Sequence, residues 1–280
     1  MSNLFKDYVF SKPNSIIISI SIRKRWDTSS VTNMESMFEG SIGKQGFQSN
    51  VSETYITTPK VTNMSKMFKD AVFSALTYEW DDLDVSKVTD FSEMFYSERR
   101  SVTDFNHNGT VPNNKLHMWE LNSDTNKSID MTRMFAGSET TDGNGIPTTV
   151  LGVGGMIDLT SDDENNYWNT TRVTKMDGMF KFSNLGMVMG LDTWNVENVT
   201  IMNEMFRNFN QSITINFSNW NLSSLKYCQY MFWNSKVIIS GFGNITIETT
   251  TLVGMFREYK PTTVSLNFSS WVVSGVTKMN

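Results

Sequence analysis

A short pattern, V-T-x-M-x-x-M-F, returns through this chain, and it narrows the possible folds more than any other feature. One clear copy is Val199-Thr200-Ile201-Met202-Asn203-Glu204-Met205-Phe206. Aligned on their first residue, the copies begin at Val31, Val61, Val88, Ser128, Val173, Val199, Leu225, Thr249 and Val276. The steps between them are 30, 27, 40, 45, 26, 26, 24 and 27 residues. The basic period is thus near 24–27, with longer steps where loops are inserted. Chains built this way grow along one axis, because no single unit can bury its apolar side alone. The 280 residues therefore read as one repeat domain, 1–280, of about nine units.

Each unit carries two apolar periods. The first leads up to a tryptophan five residues ahead of the pattern, at Trp26, Trp168, Trp194, Trp220 and Trp271. Before it, apolar residues alternate: Met187, Met189 and Leu191; Ile213, Ile215 and Phe217; Val264, Leu266 and Phe268. Alternation predicts a strand with one buried face. The opposite face is polar and mostly uncharged, as in Thr214, Asn216 and Ser218. The second period lies in the pattern itself. Its methionines and phenylalanine stand three and four residues apart, the spacing of one helical face. Thr32, Thr62, Thr89, Thr174 and Thr200 sit where an N-cap would be, so a short α or 3₁₀ turn opened by the threonine is expected.

Stacked in register, such units give a parallel sheet with one short strand per repeat and short helical turns on the opposite side. The predicted core is the Trp column with Met37, Phe38, Met67, Phe68, Met94, Phe95, Phe135, Met179, Phe180, Met205, Phe206, Met231, Phe232, Met255 and Phe256. Recurrence in register makes these side chains core rather than a cofactor or sugar-stacking stripe. Cys228 stands at a methionine position and reads as a buried structural thiol.

The segments WDTSSVTNMESMF (26–38), VTNMSKMF (61–68) and WNVENVTIMNEMF (194–206) resemble the BspA-like surface-protein repeat, also found in mycoplasma lipoproteins. The resemblance covers nearly the whole chain. It implies an α/β solenoid, a leucine-rich-repeat-like right-handed superhelix, and surface-exposed members that adhere or bind ligands rather than catalyse. This chain departs from the lipoprotein members in showing no lipobox or signal peptide. The apolar stretch Ser15–Ile22 alternates Ser and Ile, which suits a half-buried strand better than a signal segment.

Charge and composition exclude several functions. A net charge of −5 and a pI near 5.2 leave no electrostatic footprint for nucleic acid or an anionic membrane surface. No apolar run approaches the ~20 residues of a membrane helix. With one cysteine, no intrachain disulfide forms. His107 and His117 are the only histidines, too few to suggest a zinc site or a catalytic triad. No cofactor, metal ligand set or catalytic residue is predicted.

Recognition is expected where the repeat is interrupted. One inserted loop, about 96–114, holds Asp104 and His107; the other, about 138–167, holds Asp142, Asn144, Asp162, Asp163 and Glu164. The acidic residues do not follow the spacing of a helix–loop–helix calcium site. Trp119 and Trp233 fall off the repeat register and are candidates for exposed, ligand-stacking rings. The expected function is non-enzymatic binding or adhesion at a surface, toward a protein or glycan, through the polar sheet face and the inserted loops. The rival expectation is a structural component of a filament, appendage or virus particle, assembled with itself or a neighbouring subunit through the solenoid ends. Localisation follows the same choice: extracellular or cell surface, or an assembled particle.

Overall fold

The computed structural model describes residues 1–7, 9–10, 28–43, 58–73, 83–98, 116, 119–121, 126–141, 147–151, 153–160, 168–241, 251–263, 266 and 271–279. Consecutive copies of the pattern pair in parallel through their third residue. Asn33 bridges Asn63, Asn63 bridges Asp90, and Asp90 bridges Asp130. Asp130 pairs with Lys175, Lys175 with Ile201, Ile201 with Tyr227, and Thr251 with Lys278. This is the register of the sequence alignment, kept across the two long steps. One local adjustment occurs in the fourth copy. Ile129, not Ser128, pairs with Val173 and is buried, so that copy is one residue short.

The pattern does not form the helix its spacing suggests. In the Val31 copy, Met37, Glu39 and Ser41 donate their N–H groups to Met34, Ser36 and Phe38 within the copy, at 3.2, 3.2 and 3.1 Å. The intervening N–H groups, of Met34, Ser36, Phe38 and Gly40, donate to Asn63, Ser65, Met67 and Lys69 of the next copy, at 2.9, 3.0, 2.8 and 2.8 Å. Alternate donors thus serve a chain of turns and a ladder between copies. The alternation needs a left-handed residue two places after the first methionine. Ser36, Lys66, Glu93, Arg133, Glu204 and Tyr230 hold φ of 54° to 58° there. Gly178 and Gly254 fill the same place with φ of 57° and 60°. A left-handed residue ends helical winding, which is why the 3.6-residue spacing yields turns.

The threonine is not an N-cap. The hydroxyls of Thr62, Thr89 and Thr200 donate to the carbonyl oxygens of Thr32, Thr62 and Thr174 in the preceding copy. Capping falls to the next residue instead. Oδ1 of Asn33, Asn63, Asp90 and Asp130 accepts from the N–H two residues on, at 2.7 to 2.9 Å. These are Asx turns, a short-range bond that Asn and Asp make readily.

The core is two aromatic columns with methionine between. Phe38, Phe68, Phe95, Phe135, Phe180, Phe206, Phe232 and Phe256 stack ring on ring, with centroids 5.4 to 5.8 Å apart and planes within 8°. Phe5 continues this column, 5.5 Å from Phe38. The segment Met1–Asp7 is therefore one more copy: Asn3, Phe5 and Asp7 donate to Glu35, Met37 and Glu39, and Asn3 and Asp7 are left-handed. In sequence this copy is disguised, because M-S-N-L-F departs from M-x-x-M-F by Leu4 at the second methionine. The expected core residues are buried wherever they are described, apart from Phe256 and Trp271, which are half-buried; Trp26 lies outside the described residues.

The strands are short. β1 (Val9–Phe10), β2 (Ile42–Gly43) and β3 (Val72–Phe73) form a parallel three-stranded sheet. β4 (Ile129–Asp130) pairs with β8 (Val173–Lys175), β7 (Gly154–Asp158) with β9 (Asn184–Met189), and β10 (Thr214–Asn216) with β11 (Ile238–Ser240), all in parallel. β5 (Ser138–Thr141) and β6 (Pro147–Leu151) make an antiparallel hairpin inside the second insertion. In β10 the alternation holds: Ile215 is buried, while Thr214 and Asn216 face solvent. In β9 it is inverted. A bulge at Gly186 lets Leu185 and Val188 pack inward and turns Met187 and Met189 outward, each 39% exposed. The stretch 15–22 lies outside the described residues. Among the described residues, no helix is long and apolar enough to cross a membrane.

Candidate binding face

The residue after each column phenylalanine stands next to its counterpart in the neighbouring copy, because the ladder fixes the copies in register. In order these are Glu39, Lys69, Tyr96, Ala136, Lys181, Arg207, Trp233 and Arg257. Cations and rings alternate along much of this row. Lys69 and Arg133 lie over Tyr96, at 4.7 and 4.9 Å from its ring centre. Lys181 and Arg207 lie over Phe182, at 5.4 and 5.7 Å. Arg207 and Arg257, from the copies before and after, lie over Trp233 at 3.9 and 4.8 Å. Such contacts contribute about 0.5–1 kcal/mol each when exposed and more when desolvated.

Carboxylates hold these cations in place. Glu93 bonds Lys69 at 2.8 Å and Arg133 at 3.2 Å. Glu204 bonds Lys181 at 2.5 Å and also Arg207. Burial raises the pKa of Glu204, but hydrogen bonds from Lys181 and Arg207 outweigh it and hold the carboxyl below its ordinary value. The Tyr96 hydroxyl is pushed up, first by burial and then by its bond to Glu98.

One residue further on runs a polar ladder. Asn234 Nδ2 donates to Asn208 Oδ1 at 2.9 Å, and Lys260 Nζ donates to Asn234 Oδ1 at 3.1 Å. Asn208 Nδ2 reaches Glu139 on β5, at 3.2 Å. The inserted hairpin is thereby tied to the scaffold beside Arg207. Chemically the face offers guanidinium and ammonium donors, held by rings and carboxylates, to an anionic group.

The sequence-predicted site residues fare unevenly. Asp104, His107, Asp142, Asn144, Asp162, Asp163 and Glu164 lie outside the described residues. Trp119 is not an exposed ring: it is buried, 5.9 Å from Trp168 and 5.8 Å from Phe91. It heads the tryptophan column that continues through Trp168, Trp194 and Trp220. Trp119 stands nine residues before Ser128 where other copies have five, so its place in sequence hides its place in the column. Trp233 is half-buried, with guanidinium groups over its ring rather than open faces. Cys228 is fully buried, and burial pushes its thiol up to about 12. Among the described residues, no group of three or more His, Cys, Asp or Glu gathers to hold a metal. The cation row was overlooked in the sequence, although a basic or aromatic residue after the Met-Phe pair is visible there.

A family model described as "Mycoplasma protein of unknown function, DUF285" matches residues 1–147 and 155–260. The chain belongs to that family. The match covers the copies from the N-terminus to residue 260 and β5, and it leaves out 148–154, which holds most of β6. No curated protein and no solved structure matches the chain.

Proposed function

We propose that this chain is a non-enzymatic binding module of the BspA-like type, a leucine-rich-repeat-like solenoid displayed outside the cell. Its ligand is a protein or glycan bearing anionic groups. The observation that carries the reading is the Arg207–Trp233–Arg257 row beside the tethered β5–β6 hairpin. Guanidinium groups lie over the indole ring, so a neutral sugar stacking on Trp233 would have to displace a cation. An anionic group instead meets donors already oriented by Glu204 and the ring, which lowers the ordering cost of binding. The polar sheet face at Thr214, Asn216 and Ser218 adds uncharged donors and acceptors.

The reading is tested by screening the chain on arrays of glycans and extracellular proteins, then measuring affinity for each hit. Arg207→Gln with Arg257→Gln should weaken binding at least tenfold, and raised salt should weaken the unmutated chain. Hits that ignore both changes, or none at micromolar concentration, would refute it.

A further inference from the structure

A second, unrelated feature lies on the β7–β9 pair. Ile157, Leu185 and Val188 pack inward, and the outward side carries thioethers. Met156 pairs directly with Met187 across the strands, and Met189 follows Met187 two residues on, paired with Asp158. Paired residues of parallel strands project on the same side. Neighbouring strands lie about 4.8 Å apart and alternate residues of one strand about 6.6 Å apart, within reach of flexible methionine side chains.

The bulge at Gly186 creates this arrangement. It restores Met187 to the face of Met156 after Leu185 has turned inward. The glycines also leave open space on this strand pair. A methyl group at Gly154 would meet nothing within 4 Å, and one at Gly186 would meet only the Gly155 carbonyl oxygen, at 3.7 Å. Among the described residues, buried methionine is explained by the repeat core. These outward methionines are not, because the bulge removes Met187 and Met189 from it.

We propose that Met156, Met187 and Met189 form a thioether site for a soft monovalent cation, Cu(I) or its surrogate Ag(I). Thioether sulfur is a soft, neutral ligand that favours these ions over Zn²⁺, Ca²⁺ or Mg²⁺, which need thiolate, imidazole or oxygen donors. Three sulfurs satisfy a trigonal ion without a charged ligand. Asp158 beside Met189 supplies a nearby negative charge, while its Oδ1 is engaged by the Thr160 N–H and hydroxyl.

The test is titration of the whole chain with Ag(I), and with Cu(I) under reductant against a competing chelator, observed through ¹³C-methyl methionine resonances. The methyl signals of Met156, Met187 and Met189 should shift together and saturate at one equivalent. Met187→Leu with Met189→Leu preserves apolar volume on an exposed face and should lower affinity at least tenfold, with an unchanged circular dichroism spectrum. The methyl readout separates this site from metal captured at the Cys228 thiol. Shifts confined to other methionines, no saturation at one equivalent, or a double variant within threefold of the parent would overturn the assignment.

Discussion

Removing one ring from the middle of the phenylalanine column tests how the copies cohere. Phe206 is fully buried, stacked on Phe180 at 5.5 Å and on Phe232 at 5.6 Å. Phe209 and Phe217 meet it edge-on, at 6.1 and 6.4 Å. Phe206→Ala deletes the ring and opens a cavity between copies held rigidly by the backbone ladder, so collapse is resisted. Core Phe→Ala changes cost about 3–5 kcal/mol, a range that already includes lost ring contacts, and four aromatic neighbours with little room to collapse place Phe206 at its upper end, about 4–5 kcal/mol. Phe5, half-buried and stacked on Phe38, provides the comparison. Phe5→Ala should cost about 1–2 kcal/mol, in line with its partial burial. Urea titrations followed by tryptophan fluorescence and circular dichroism would measure both. The central variant should also make the two probes diverge, because weakening one interface uncouples the copies on either side. Equal losses at the two positions, or a loss under about 1 kcal/mol at Phe206, would refute the column as the source of cohesion.

Two further predictions concern particular backbone and charge positions. Lys66 holds a left-handed conformation at φ 56° in a place that Gly178 and Gly254 fill elsewhere, so in urea titrations Lys66→Gly should gain about 0.5 kcal/mol of stability and Lys66→Val should lose more than about 1 kcal/mol. Asp177 has its pKa raised, chiefly by burial with Glu204 adding, against bonding from Asn203. Its folded pKa lies above the unfolded one, so the folded chain holds that proton more tightly. The ionised carboxylate therefore costs stability at neutral pH, and the cost is relieved as pH falls through the folded pKa. Asp177→Asn should raise stability at pH 7, with an advantage that shrinks toward about pH 4, near the ordinary aspartate value. Thermal melts at the two pH values check the sign; an equal or larger gain at the lower pH contradicts it.

Much of the candidate face was written in the sequence but not recognised there. Lys181, Arg207, Trp233 and Arg257 follow the column phenylalanine in successive copies, so their adjacency needs only the register. That their rings and cations meet depends on the left-handed residue at Gly178, Glu204 and Tyr230, which sets how the chain leaves each turn. Nothing in the residue types announces that conformation, since glutamate, lysine and arginine adopt it here beside glycine. The helix expectation failed for the same reason. Three- and four-residue spacing is shared by a helix and by a run of turns, and only the destination of alternate N–H groups separates them.

The sequence by itself determined the register. Identical apolar residues at equivalent places can bury themselves only against their own counterparts, and this holds through the 40- and 45-residue steps. It also marked the core, down to the thiol that replaces a methionine at Cys228. Tertiary structure decided what depends on contacts far apart in the chain. Trp119 enters the tryptophan column despite its displaced position, because a large apolar ring gains most by burial against Trp168 and Phe91. Met187 and Met189 leave the core despite their alternation, because one bulged glycine reverses which side of a strand is buried. Periodicity records which residues are alike; the pairing partner decides which way each one faces.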